Sequence, residues 1–222
     1  MTKTTAKLPV ASPFFESVGA FILAGGESSR MGRNKSLLEI DGVPMIVRTT
    51  QLVEGIAGRA TIVGESESYK RLGLRTIRDD WPGAGPLGAI ATALRATDCA
   101  WNLVVACDLP YLTREWLEFL IGRALKCDAD ALLPMNDRGA EPLCAMYAKS
   151  CEAAVWLALD RGVRKVTDGL AHVRVDYLEP REWKLFDSNG LLFKNMNSPS
   201  DYEQADKRSE HGNESTAEEK SD

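Results

Sequence analysis

Short apolar runs alternate along the chain with segments in which apolar residues recur at helical spacing. The runs are typical of buried β-strands and cover Val18–Leu23, 59–63, 74–77, 101–107, 129–134, 143–147 and 172–178. The helical spacing covers 44–56, 86–96, 113–125, 152–159 and 163–170. Pro44 suits a first helical turn and Thr113 suits an N-cap. This alternation predicts an α/β fold whose mostly parallel sheet carries helices on both faces.

Two polar segments directly follow strands of the predicted sheet, one at Gly25 and one at Asp108. In parallel sheets, ligands bind beyond the carboxyl ends of the strands. Because both segments fall at that edge, we expect them to face one cleft.

Composition and charge limit the function classes. The chain has 222 residues, of which 44% are hydrophobic and 27% are charged, as in ordinary globular proteins. No apolar run approaches the roughly 18 residues of a membrane helix. The net charge is −5, but the residues from Glu203 onward include seven acidic and three basic ones, so the rest of the chain is nearly neutral. This balance argues against a nucleic-acid-binding face.

The chain ends differ from the middle in composition. Residues 1–17 contain two prolines and no apolar core of a signal peptide, which predicts a frayed leader and a cytoplasmic protein. Residues 18–206 are expected to form one domain, and 207–222 an acidic, disordered tail. The five cysteines include no C-x-x-C pair and the chain has two histidines, so we expect reduced, mostly buried thiols and no zinc site.

The glycine-rich segment after the first strand suits a phosphate group. Gly25 and Gly26 leave backbone N–H groups accessible, and Arg30 and Lys35 add charge-assisted hydrogen bonds. The spacing differs from a Walker A loop, because Asn34 rather than glycine precedes Lys35. A plain strand–turn–helix connection with solvated charges is the alternative.

A second glycine pattern, at 83–88, matches G-x-G-x-x-G. A dinucleotide fingerprint follows its strand directly, whereas Trp81 and Pro82 precede this one, and Pro86 lacks the N–H that a phosphate would use. We expect Gly85 to Gly88 to lie against a planar base or a ribose.

Asp108 and the segment 194–201 are candidates for metal binding. A carboxylate at a strand end suits Mg²⁺, which takes one or two carboxylates together with phosphate oxygens and waters. Alternatively, Asp108 caps the turn before Pro110. Ser198 and Asp201 fit a capping box, which leaves Asn197 on the turn before a helix, where its carbonyl can reach a metal.

These segments together resemble the nucleoside-triphosphate transferases, and most closely the molybdenum cofactor guanylyltransferases, over residues 18–205. The most specific likeness is Leu23-Ala24-Gly25-Gly26-x-Ser28-x-Arg30-Met31-Gly32-x-x-Lys35. Further likenesses in the family's order are Asp79, Gly85-Pro86-Leu87-Gly88, Ala106-Cys107-Asp108-Leu109-Pro110, Glu141-Pro142-Leu143, Arg161-Gly162-Val163-Arg164-Lys165 and Asn195-Met196-Asn197-Ser198-Pro199. The resemblance implies a Rossmann-like three-layer nucleotidyltransferase domain.

The resemblance also implies roles for the matched residues. The nucleotide is expected at Leu23, Ala24, Gly25, Gly26, Lys35, Asp79 and Gly85, with Arg30 and Lys35 on the leaving pyrophosphate. Asp108 and Asn197 are implied as Mg²⁺ ligands, with Mn²⁺ as a substitute, and Arg164 and Lys165 as contacts of the pterin substrate. One position departs from the family, since Gly64 stands where an Asn is expected.

The implied activity is transfer of GMP from GTP to the phosphate of molybdopterin cofactor, which forms molybdopterin guanine dinucleotide and releases pyrophosphate. Candidate partners are other proteins of cofactor biosynthesis or of molybdoenzyme maturation. We expect the chain to bind neither nucleic acid nor a membrane. The rivals are a cytidylyltransferase for the same cofactor, a sugar-phosphate nucleotidyltransferase, and an inactive nucleotide-binding regulator. Gly26 favours GTP, because sister cytidylyl enzymes tend to carry Ala there and a missing Cβ leaves room for a purine.

Overall fold

One twisted sheet organises the chain. The structure, a computed structural model, describes residues 17–24 and 35–196. The sheet strands are β1 (Val18–Leu23), β4 (Thr61–Val63), β5 (Thr76–Ile77), β6 (Trp101–Ala106), β7 (Ala131–Asn136), β8 (Gly139–Ala140), β9 (Cys144–Ala148) and β10 (Val175–Leu178). A separate hairpin joins β2 (Glu39–Ile40) and β3 (Val43–Pro44).

The helices of the described ranges connect these strands. They are α1 (Met45–Ala57), α2 (Glu67–Arg71), α3 (Pro86–Arg95), α4 (Arg114–Ala124), α5 (Cys151–Asp160), α6 (Val166–Gly169) and α7 (Pro180–Trp183). As expected, Thr113 caps α4 by accepting a hydrogen bond from the Trp116 amide at 3.2 Å.

The strand order across the sheet is β10-β7-β9-β6-β1-β4-β5, and β8 pairs with the last two residues of β7. β1 pairs in parallel with β6 on one side and β4 on the other, whereas β9 is antiparallel to both β6 and β7. The prediction of a mostly parallel sheet is therefore confirmed. In this register Leu23 lies opposite both Ala106 and Val63, so β1, β4 and β6 end at one level.

Alternating side chains of the strands build a core on each face of the sheet. Ile22 and Val105 point to the face covered by α1 and α4, while Leu23 and Val104 point to the face covered by α3 and α5. Trp116 of α4 is fully buried on the first face. Three layers follow directly from this two-residue alternation.

The short elements differ from the sequence prediction. The helix expected at 163–170 is limited to α6, and the strand expected at 172–178 begins only at Val175, because hydrogen bonds of a turn join Val173 to Leu170. The elements α2, α7, β2, β3 and β8 were not expected. Each has five residues or fewer, too few to show a periodicity.

The remaining predictions concern the two ends of the chain and the burial of the cysteine thiols. Apart from Ser17, the leader 1–17 and the tail 207–222 lie outside the described residues. All five cysteines are free thiols, but only Cys144 and Cys151 are fully buried, fewer than expected. Among the helices of the described ranges, none is long and apolar enough to cross a membrane.

The Thr113 cap gives a test of helix stability. We expect Thr113→Ala to lower the free energy of unfolding by about 1 kcal/mol, because the Trp116 amide loses its acceptor. The Thr113→Ser variant keeps an acceptor and serves as the control. Urea unfolding monitored by tryptophan fluorescence measures both, and an unchanged midpoint in Thr113→Ala would contradict the capping role.

Candidate functional site

The carboxyl ends of β1, β4 and β6 bring the two predicted polar segments together. The Ala24 amide donates to the Val63 carbonyl at 3.2 Å, and the Cys107 amide donates to the Leu23 carbonyl at 3.1 Å. Ala24 and Asp108 consequently leave the sheet from neighbouring strands. The start of the glycine-rich segment and Asp108 thus share one edge, as the sequence predicts.

The carboxylate of Asp108 is held in an unfavourable environment. Its Oδ1 atom is buried and has no hydrogen-bond partner among residues 17–24 and 35–196. Burial raises the pKa of Asp108, and its own backbone and the nearby Lys35 ammonium offset only part of that rise. Leaving a buried acceptor unsatisfied costs about 1–3 kcal/mol. Since Thr113 caps the following helix, the buried oxygen has no structural use that the described residues reveal.

The orphaned oxygen fits a magnesium ion. Mg²⁺ prefers oxygen ligands and binds proteins through one or two carboxylates, with phosphates and waters completing its shell. The neighbouring Lys35 adds positive charge for the phosphates of the same ligand. Asp108 and Lys35 therefore form the electrostatic centre of the candidate site.

Tyr69 connects the described parts of the chain on the two sides of 25–34. Its hydroxyl lies 2.6 Å from the Ser36 hydroxyl and donates to the Ala24 carbonyl at 3.4 Å. Tyr69 is only 1% exposed, and Ser36 is also buried, next to Lys35. One buried hydroxyl thus fixes both where the chain leaves β1 and where it returns at Lys35. Sequence reasoning missed Tyr69, because α2 is too short to produce a pattern.

Four predicted site residues lie outside the described residues: Gly25, Gly26, Arg30 and Asn197. The residue before Asn197 is described. Met196 is fully buried against Ile40 and Met45, and its amide donates to the Asp108 carbonyl at 3.0 Å. The chain therefore reaches Asn197 from a point directly beside Asp108.

Asp79 organises the loop on the other side of β1. Its Oδ1 accepts hydrogen bonds from the Trp81 amide and the Thr92 hydroxyl, both at 2.9 Å. These bonds tie the end of β5 to α3. Gly85 is the exposed N-cap of α3, and a Cβ on it would meet nothing within 4 Å. This loop leaves space beside the N-terminus of α3, where a nucleotide is predicted.

Two glycines have structural roles that differ from the expectation. Gly88 is buried, and a Cβ there would lie 2.8 Å from Trp81 Cβ and 3.0 Å from the Trp81 carbonyl, so its absence allows close packing rather than contact with a base or ribose. Gly64 has φ of +125°, a conformation that residues with side chains rarely adopt. An Asn at position 64 would therefore require a different backbone conformation from the one that this chain adopts.

Arg164 and Lys165 lie in the exposed loop between α5 and α6. Arg164 donates to the carbonyls of Leu159 and Val163, and Lys165 pairs with Asp168 at 3.6 Å. α6 in turn packs on α3, since Gly169 touches Leu87. Both cations are thus at the carboxyl edge, held by contacts of their own loop.

A cavity of about 210 Å³ lies between α1 and the loop that follows Asp108. Arg48, Thr49 and Leu109 are among the residues that line it. This space is smaller than ordinary ligand pockets of roughly 300–1,000 Å³ and does not hold a nucleoside triphosphate.

Comparison with known proteins gives the class of this site. Residues 20–175 match the MobA-like NTP transferase domain, so the class is that of the nucleotidyltransferases. The chain belongs to this family, with the molybdenum cofactor guanylyltransferases as its relatives. A probable molybdenum cofactor guanylyltransferase of Pelotomaculum thermopropionicum is 35% identical over 181 residues, which cover 81% of this chain and 87% of the relative.

Solved structures agree with this assignment. Molybdopterin-guanine dinucleotide biosynthesis protein A from Archaeoglobus fulgidus is similar with a TM-score of 0.76 and 28% identity, over 87% of this chain and 99% of that one. The 2-C-methyl-D-erythritol 4-phosphate cytidylyltransferase of Thermus thermophilus is similar with a TM-score of 0.62 over 86% of this chain and 98% of that one. At 14% identity, the latter likeness concerns the fold alone.

The Tyr69 contacts predict a defect in nucleotide binding. We expect Tyr69→Phe to raise KM for the nucleoside triphosphate about 5- to 150-fold, because neutral hydrogen bonds contribute about 0.5–1.5 kcal/mol each and both ends of 25–34 lose one. Steady-state kinetics measure the change.

Thr50→Val is the matched control, since it removes a buried hydroxyl that donates only within α1, to Ile46. A Tyr69→Phe protein with unchanged KM would show that the hydroxyl does not position the loop.

Proposed function

We propose that this chain transfers GMP from GTP to the phosphate of molybdopterin cofactor, forming molybdopterin guanine dinucleotide and releasing pyrophosphate. The observation that carries the proposal is the buried Asp108 Oδ1, which has no hydrogen-bond partner in the described part of the chain and lies near Lys35, at the edge where β1 and β6 end. Family membership and the relatives' names support the choice of GTP and of this acceptor.

The chemistry requires charge neutralisation rather than a base. The attacking group is a phosphate monoester whose second pKa is about 6, so it is already anionic at neutral pH. The barrier arises from bringing two anions together, and fixed positive groups lower it by positioning and electrostatics. Lys35 would supply one such positive group, and Asp108 would supply another by holding a metal ion.

Asp108 would hold Mg²⁺, with Asn197 as its proposed second ligand. The ion, when bound, neutralises phosphate oxygens and the charge that develops on the leaving group. Lys35 would hold the pyrophosphate, aided by Arg30 and by the amides at Gly25 and Gly26. The buried hydroxyl of Tyr69 holds Ala24 and Ser36, and Ser36 is the residue next to Lys35.

The nucleotide and acceptor would occupy opposite sides of Asp108. We place the nucleoside over Leu23, Ala24, Asp79 and Gly85, on the β1–β4–β5 side. Arg164 and Lys165 would face the pterin substrate from the loop after α5. The rival cytidylyltransferase has weaker support, because the cytidylyltransferase neighbours share only the fold.

Other predictions from the sequence are retained as proposals. They include a domain at 18–206 with an acidic tail, partner proteins of cofactor biosynthesis or molybdoenzyme maturation, and a cytoplasmic location. The five free thiols fit a reducing compartment.

Nucleotide choice is the most direct test of this function. We expect the purified chain, with Mg²⁺ and the pterin acceptor, to use GTP at least about a hundredfold better than CTP in kcat/KM, because unsatisfied polar groups discriminate more strongly than size. Pyrophosphate release measures turnover, and no added metal is the control. Equal use of GTP and CTP would refute the guanylyl assignment, and absence of turnover with any nucleotide would favour the regulator.

Asp108→Asn should separate activity from stability. We expect turnover to fall more than about a hundredfold, because the metal loses its charged ligand. In EDTA we expect Tm to rise by about 2–4 °C, because the variant no longer buries an uncompensated charge.

Asp98→Asn is the matched control, since Asp98 is exposed and precedes β6 at the opposite edge. It should change neither quantity. An Asp108→Asn protein that keeps full, metal-dependent activity would exclude Asp108 as the metal ligand.

A further inference from the structure

Glu141 is a half-buried carboxylate at the same edge as Asp108, and the mechanism above does not use it. Its amide donates to the Pro134 carbonyl at 2.8 Å, which fixes it beside β7. Two residues later, the Leu143 carbonyl accepts the Ala106 amide at 2.7 Å, at the end of β6. The chain from Glu141 to Leu143 thus crosses from the end of β7 to a point two residues before Asp108.

The charge of Glu141 is poorly compensated. Burial raises its pKa, and the Asn136 amide and the charge of Arg138 offset only part of that rise. In the described part of the chain, Glu141 forms no ion pair. A half-buried carboxylate without a paired cation lowers the stability of the fold. At this position, the carboxylate could instead accept hydrogen bonds from a ligand.

Asn136 fixes the direction of this carboxylate. Its Nδ2 donates to Glu141 Oε1, while its Oδ1 accepts the Arg138 amide at 2.8 Å. Because both ends of the Asn136 amide are engaged, its orientation is determined. The Oε2 atom of Glu141 accepts no hydrogen bond from the described residues and remains available, with the second lone pair of Oε1, for a pair of adjacent donors.

We propose that Glu141, oriented by Asn136, recognises the 2-amino-4-oxopyrimidine edge of the pterin acceptor. That edge presents a ring N–H and an amino group side by side, and a carboxylate accepts both at once. This inference rests on the proposed function, since it assigns the acceptor half of the same site.

Guanine carries the same edge, so position must decide between acceptor and nucleotide. In the strand order, β7 and β9 lie on one side of β6, whereas β1, β4 and β5 lie on the other. Lys35 and Asp79 belong to the second side. Glu141 lies across Asp108 from them, where the acceptor must approach to attack the phosphate.

Two free pteridines test the contact without turnover. The 6-hydroxymethyl derivatives of pterin and of lumazine differ at position 2, where lumazine has a carbonyl in place of the amino group and consequently carries a hydrogen on N1. We expect the full-length wild-type protein to bind the pterin about 10- to 100-fold more tightly in a fluorescence titration, since a hydrogen bond to a charged group is lost with lumazine. Glu141→Gln should abolish this preference.

Kinetics provide the second measurement. We expect Glu141→Gln to raise KM for the pterin acceptor about 10- to 100-fold while KM for GTP stays within about twofold. The control Glu152→Gln removes a half-buried carboxylate, paired with Lys149 at 2.7 Å, at the opposite edge of the sheet, and should change neither constant. Glu141→Asp keeps the charge and should restore part of the pterin preference.

Three results would overturn the inference. Equal binding of pterin and lumazine by the wild-type protein, or an unchanged acceptor KM in folded Glu141→Gln, would remove Glu141 from acceptor recognition. A rise in KM for GTP alone would show that Glu141 contacts guanine. Each of these outcomes with wild-type guanylyl transfer intact leaves the proposed function standing, whereas wild-type protein without GTP turnover would refute that function itself.

Discussion

The parallel pairing of β1 with β6 and β4 is the constraint on which the site depends. Leu23, Ala106 and Val63 lie in register, so the chain leaves three adjacent strands at the same level. Hydrogen bonds from Ala24 and Cys107 extend the ladder one residue past the strands. A shift of one residue would turn the side chains of β1 to the opposite faces and displace Ala24 from Asp108. The buried alternation on both faces of the sheet makes such a shift costly.

This rigid edge retains two carboxylates that the fold alone does not favour. Among the described residues, the buried Oδ1 of Asp108 has no hydrogen-bond partner, and Glu141 accepts a hydrogen bond from the Asn136 side chain but forms no ion pair. Burial raises the pKa of both carboxyl groups. The strands that bury them stabilise the domain through their apolar contacts. The net stability of a domain is only about 5–15 kcal/mol, so these local costs are significant. Such destabilising carboxylates are typical of sites that bind cations or hydrogen-bond donors of a ligand.

Long elements of this fold could be predicted from the sequence because each has a full period of apolar residues. β1, β6 and α4 are examples, with α4 also marked by the Thr113 cap. Lys35 could be found because it follows a glycine-rich segment, and Asp108 because it follows the end of a strand. Tyr69 could not be found, because its contact with Ala24 joins residues far apart in the sequence. Glu141 could be matched to a family segment, but its proposed role depends on a contact between Leu143 and Ala106 that the sequence does not show. Gly88 shows the reverse error, because a motif glycine proved to be needed for packing against Trp81.

The antiparallel strand β9 has a consequence for how such enzymes diversify. It enters the sheet between β6 and β7 from the carboxyl edge, so the turn at Glu141–Leu143 comes from a hairpin and not from a strand-to-helix crossover. Hairpin turns tolerate changes of length and sequence more readily than the loop after β1, whose ends are joined by a buried tyrosine. If the function proposed above holds, the acceptor side of the site is built on a hairpin, whereas the triphosphate side is built on the parallel strands β1 and β4. A change in the hairpin would then alter the acceptor contacts without moving Ala24.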